Sequence, residues 1–158
     1  MKPRYIILAL LLGVLVSMTG CEKEYVLEPE PSKLEGINGT FTLSTVTQLD
    51  PNTFGELNSL DVTTVFAGSN PATITFNSDA RTFTYDTGTT IDFIGASGTW
   101  AFDDDQYPTK ITMTANAVSY DLALVNTIRP ADNLHFQLDR SCGGAVSTSY
   151  QYLFTRSN

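Results

Sequence analysis

From Gly39 onward, apolar side chains recur at every second position. Ile74 and Phe76 alternate with Thr73 and Thr75, and Phe83 and Tyr85 with Thr82, Thr84 and Asp86. Ile91 and Phe93, Trp100 and Phe102, and Ile111 and Met113 continue the pattern. Val118, Tyr120, Leu122 and Leu124 make the longest stripe, followed by Leu134, Phe136 and Leu138, then Tyr150, Tyr152 and Phe154. Successive side chains of a strand point to opposite faces, so this spacing predicts sheets with one dry face and one wet face. Parallel strands, buried on both faces, would read as unbroken apolar runs; the alternation predicts antiparallel pairing.

Turn formers punctuate the strands. Asn77-Ser78-Asp79-Ala80, Asp103 through Pro108, Asn116, Arg129 through Asn133 and Cys142-Gly143-Gly144 each predict a reversal. No amphipathic helix is evident. One helical turn is expected within Pro51 to Leu60, with Asp50 as its N-cap. The prediction is eight or nine strands across residues 39–158. Without a helix to cover its dry face, such a sheet must close on itself or pack on another. The short links favour an all-β, up-and-down antiparallel barrel. At eight strands its interior is either filled by side chains or just wide enough for one small ligand.

Upstream, residues 1–20 read differently. Lys2 and Arg4 precede an apolar run from Tyr5 to Val16, too short for a membrane-spanning helix and of the length of a signal-peptide core. Ser17-Met18-Thr19-Gly20-Cys21 then places two small residues before a cysteine. The segment resembles a bacterial lipoprotein signal, which implies cleavage before Cys21 and lipid on its sulfur and new amino group. Glu22-Lys23-Glu24 resembles the acidic signal that follows the lipidated cysteine in surface lipoproteins of Bacteroidota. The expected address is the outer membrane, facing the periplasm or the cell surface. Residues 21–38 carry five glutamates with Pro29 and Pro31, a composition that predicts an extended tether rather than a strand or helix.

Charge narrows the partners. The chain holds 17 acidic and 9 basic residues, a net charge of -8, and removing Lys2 and Arg4 with the leader takes this to -10. Nucleic acid is excluded as an expected partner, since phosphate binding needs clustered Lys and Arg. Anionic membrane surfaces should repel the domain, which leaves the lipid on Cys21 as the membrane contact. Charged residues are only 16% of the chain while threonines number 22, which again favours strands.

Gly39-Thr40-Phe41 opens the first strand, Gly98-Thr99-Trp100-Ala101-Phe102-Asp103-Asp104 lies mid-chain, and Tyr107-Pro108 follows. In these segments the chain resembles the lipocalin-like lipoproteins of Bacteroidota, a group known mainly as domains of unknown function. The resemblance covers most of Gly36 to Asn158 and implies a calycin-type barrel. The wider lipocalins open strand one with Gly-x-Trp and stack a late Arg on that Trp. Phe41 replaces the Trp here, and the resemblance implies that Arg156 takes the place of the Arg. No C-terminal helix is expected to follow.

Candidate chemistry is sparse. Asp103, Asp104 and Asp105 supply three carboxylates, but without the spacing of a calcium loop, and they read as a solvated turn. Cys142 lacks a base, and with Cys21 lipidated it lacks a disulfide partner. The lone His135 falls short of the three or four ligands zinc requires. No G-x-S-x-G and no glycine-rich phosphate loop occurs. Asp86, Asp92, Asp121 and Asp139 sit where solubilising wet-face residues sit, although strand-borne acids can converge as in glycosidases. The expectation is a protein without catalysis, cofactor or metal.

Aromatics carry the binding expectation. Tyr85, Trp100, Met113, Tyr120, Tyr150 and Tyr152 share the dry face, and a buried Tyr normally finds a partner for its hydroxyl. A barrel interior lined by them would suit a small apolar or amphipathic ligand. The other reading is a filled barrel that contacts protein or glycan through its loops.

Overall fold

The computed structural model describes residues 31–51, 56–90 and 92–157. Cys21, the leader, the first part of the tether and Ile91 lie outside the described residues. The elements in chain order are α1 (Lys33–Ile37), β1 (Gly39–Pro51), β2 (Leu57–Asp61), α2 (Thr63–Phe66), β3 (Thr73–Asn77), β4 (Thr82–Asp86), β5 (Ser97–Phe102), β6 (Lys110–Ala115), β7 (Val118–Leu124), β8 (Leu134–Cys142) and β9 (Ala145–Arg156). Every described ladder is antiparallel, and the order β1-β3-β4-β5-β6-β7-β8-β9 closes on itself through the β1–β9 pairing. This is the eight-stranded up-and-down barrel that the alternation predicts. The ninth strand, β2, hangs on the second half of β1.

β1 organises the closure. One of its edges pairs with β9 from Phe41 to Leu49; the other pairs first with β3 over Gly39–Thr42 and then with β2 over Thr47–Pro51. The backbone groups in the gap are satisfied by other partners. Leu43 N donates to Ala72 O at 2.8 Å, Val46 N donates to the Thr63 hydroxyl at 2.9 Å, and Val62 N donates to Val46 O at 2.9 Å. A bulge between Leu43 and Thr45 shifts the strand's phase, so that Phe41, Leu43 and Val46 are all buried.

The interior is packed with side chains: Phe41, Phe76, Phe83, Phe136, Phe154, Ile111 and Met113 are among those essentially sealed from solvent. The core and all these ladders lie within one compact unit, Pro31–Asn158, which therefore carries its own core. Topology gives the barrel two distinct ends. One gathers α1, the β3–β4 turn and the β5–β6 and β7–β8 loops, and is capped by Ile37 and Ile128, both buried. The other gathers the β1–β2 connection, α2, the β4–β5 loop and the β6–β7 and β8–β9 turns; we call it the tyrosine end.

Four expectations are corrected. The helical turn expected within Pro51 to Leu60, with Asp50 as its N-cap, does not start at Pro51: Asp50 and Pro51 complete β1 and Leu57 to Leu60 belong to β2, because pairing along β1 outweighs a local cap, while residues 52–55 lie outside the described residues. Helical turns form instead at α1 and α2. The expected tether accordingly ends earlier than residue 38, since Ile37 is drawn into the core. Phe93 lies on a loop rather than a strand. There Asp86 Oδ1 accepts from Gly88 N, and Asp92 Oδ1 accepts from Ile94 N and from Gly95 N, with Gly95 at φ +84°, so side chains rather than a neighbouring strand satisfy the backbone. Val118 is 49% exposed, because it opens β7 directly after the Asn116–Ala117 turn and projects beyond the wall.

Candidate functional site

The tyrosine end is built from an aromatic chain that crosses several elements. Tyr85 near the end of β4 meets Phe93 of the following loop at 5.5 Å, and Phe93 stacks on Tyr152 of β9 at 4.5 Å and 14°. Phe66 of α2 touches Tyr152 edge-on at 6.3 Å and Tyr150 at 5.6 Å. Tyr85 and Tyr152 are buried, whereas Phe66, Phe93, Tyr120, Leu138 and Tyr150 are half-buried and form an apolar rim.

Burial shapes the chemistry of this end. The Tyr85 hydroxyl is sealed from solvent and has no hydrogen-bond partner among the described residues. Desolvation, helped by the negative charge of Asp92, drives its ionisation far above the ordinary tyrosine range. Tyr152 is pushed up to about 12, chiefly by burial. On the β8 side, the Arg140 guanidinium lies 5.6 Å from the centre of the Tyr150 ring.

The six residues singled out in the sequence therefore divide. Tyr85, Tyr120, Tyr150 and Tyr152 sit at or near the tyrosine end. Trp100 lies toward the capped end, its indole N–H donating to Thr82 O at 3.1 Å, its ring edge-on to Phe76 and beneath the Arg81 guanidinium at 4.9 Å. Met113 is fully buried between them, paired across the sheet with both Trp100 and Tyr120. Sequence reasoning missed Phe66 and Arg140 and placed Phe93 on a strand. Phe66 carries no periodic signal in so short a helix. Arg140, however, follows Leu134, Phe136 and Leu138 at the same two-residue spacing, at the exposed end of β8, and a cation ending that stripe was a readable sign.

The remaining candidates are dispersed. The three adjacent aspartates turn to different partners. Asp103 accepts from the Thr109 hydroxyl at 2.5 Å and from the backbone N–H groups of Asp104, Thr109 and Lys110; its carboxyl is held down to about 2, first by the Thr109 hydrogen bond. Asp104 accepts from Gln106 N and Tyr107 N, and Asp105 forms a two-pronged pair with Arg81. They shape the β5–β6 loop. His135 is half-buried, which lowers its basicity. Cys142 is an exposed free thiol at the β8–β9 turn. Asp121 is tied to Thr112 and Lys110, and Asp139 to Gln137 and Ser149 on the outer wall. Among the described residues no helix is long and apolar enough to cross a membrane.

At the capped end, the Arg156 guanidinium stacks over Phe41 at 4.4 Å and donates to Asn38 O at 2.8 Å and Gly36 O at 2.6 Å. This is the pairing the lipocalin resemblance implies, with Phe in place of Trp.

No curated protein matches the chain. A family model, described as a domain of unknown function, DUF5004, matches residues 18–154, nearly the whole barrel included. The chain belongs to the DUF5004 family, and its fold is a closed antiparallel β-barrel.

Proposed function

We propose that this domain is a non-catalytic binding protein, held at the outer membrane by lipid on Cys21, whose tyrosine end takes up a small amphipathic molecule. The Tyr85 hydroxyl carries the reading. Leaving a buried hydroxyl unpaired costs about 1–3 kcal/mol, and a bound molecule offering a donor or acceptor at that point recovers it. The half-buried rim supplies apolar contact around the same place. The Phe93 ring lies against Tyr85 and stacks on Tyr152, and a single stacked pair of this kind contributes only about 0.5–1.5 kcal/mol beyond its burial, so an entering molecule can displace it.

The test uses N-phenyl-1-naphthylamine, a neutral fluorescent apolar probe, on residues 22–158. Its emission rises on binding to the wild-type domain. Tyr85→Phe weakens that binding several-fold while leaving the melting temperature unchanged or higher, since it removes an unpaired buried group. No fluorescence rise, or a Tyr85→Phe domain that melts well below wild type, overturns the reading. For the address, Cys21→Ser should leave the full chain unprocessed or in the soluble fraction.

A further inference from the structure

We infer that the molecule taken up at the tyrosine end carries an anionic head group and that Arg140 holds it; this rests on the binding reading above. Arg140 is the described cation carried by the elements of this end. The other described cations lie elsewhere. Arg81 pairs with Asp105 and Lys110 with Asp121. Arg156 is bonded to Asn38 and Gly36, and Lys33 and Arg129 belong to α1 and the β7–β8 loop at the capped end.

No described carboxylate forms an ion pair with Arg140. Of the acids at the same end, Asp50 accepts from Gln48 at 2.6 Å, Asp86 accepts from Gly88 N, and Asp92 accepts from Ile94 N and Gly95 N. The Arg140 guanidinium thus has no direct ion-pair partner among the described residues. Its position is defined, lying over the Tyr150 ring at the edge of the apolar rim. A guanidinium over an aromatic ring still has N–H donors to offer, and two of them match the oxygens of a carboxylate, sulfonate or phosphate. Arg140 and Tyr85 stand at the two ends of one series of ring contacts that runs through Tyr150, Phe66, Tyr152 and Phe93. A molecule with an anionic head on Arg140 would thus lay its apolar body over the aromatic rim.

Isothermal titration of residues 22–158 with decanoate, 1-decanol and decyltrimethylammonium, all below their micellar range, tests the assignment. Decanoate is expected to bind roughly tenfold or more tightly than decanol, as a charge-assisted pair should. Arg140→Gln removes that preference, and Arg140→Glu transfers it to decyltrimethylammonium. Both variants should melt close to wild type, because Arg140 is exposed. Equal binding of decanoate and decanol, or a preference that survives Arg140→Gln, overturns the assignment and leaves the apolar site standing. Failure of all three to bind overturns the assignment together with the reading on which it rests.

Discussion

Arg156 and Phe41 face each other across the β1–β9 ladder, and the guanidinium lies 4.4 Å from the ring centre. The contact joins the last residue of β9 to the first residues of β1, where the barrel closes. The same guanidinium donates to Gly36 O and Asn38 O, so one side chain fastens the α1 segment over the end of the core. A cation over an aromatic face contributes about 0.5–2 kcal/mol and a charged hydrogen bond about 1.5–3 kcal/mol. Arg156→Ala should therefore destabilise the domain by about 2–4 kcal/mol in urea unfolding, and Arg156→Lys should recover less than half, since a lysine cannot stack and donate twice in one plane.

Gly98 of β5 offers a sharper test of packing. A Cβ there would stand only 1.9 Å from Thr114 O on β6 and 3.0 Å from the Phe83 ring. The obstruction on the β6 side is backbone, which cannot rotate away. Gly98→Ala should prevent the β5–β6 ladder from forming and leave the protein largely insoluble, whereas Ala101→Gly, an exposed site on the same strand, should cost no more than about 1 kcal/mol. Soluble, cooperative folding of Gly98→Ala would contradict the barrel geometry at this point.

The buried tyrosines predict alkaline behaviour. Tyr85 and Tyr152 ionise above the ordinary value of 10 in the fold, Tyr152 at about 12. A group whose folded pKa is raised gives stability that is complete below the unfolded value and is lost as pH climbs through the folded one. The domain should hold its stability to about pH 10 and lose it progressively toward pH 12 and beyond. Absorbance titration of residues 22–158 should show two of their six tyrosines ionising together with the loss of near-ultraviolet dichroism. Smooth titration of all six with the fold intact would contradict the burial.

The opposite sign holds at the β5–β6 loop. Asp103 has its carboxyl held down to about 2 by Thr109 and three backbone N–H groups. Its contribution is present above the unfolded value of 3.8 and fades as pH falls toward 2. Asp103→Ala should melt below wild type at pH 7, and the gap between the two should close near pH 2. A gap that is constant with pH would show that the carboxylate charge is not what organises the loop.

The barrel was legible because most of its wall obeys a period of two. Where that period breaks, reading from residues failed for identifiable reasons. In β1 the bulge after Leu43 moves Val46 onto the buried face, so the strand's second half shows no clean alternation. In β2 all five residues are exposed, leaving no face to detect. Phe93 continues an apolar rhythm in sequence, yet the Asp86 and Asp92 side chains turn its backbone into a loop. For the candidate site, the tyrosines were visible as residues of the dry face, but the stack of Phe93 on Tyr152 and the seat of Arg140 over Tyr150 depend on which loops and strands meet at one end. That is a tertiary fact. Phe41 and Arg156 were legible only through their likeness to a known barrel family.

The most direct measurement is native mass spectrometry of residues 22–158, purified without detergent from a host of the kind the proposed lipoprotein signal points to. Uptake at the tyrosine end predicts an added mass of a few hundred daltons that is lost on denaturation and reduced in Tyr85→Phe. A bare mass for the folded domain, unchanged after exposure to membrane extract, would contradict it.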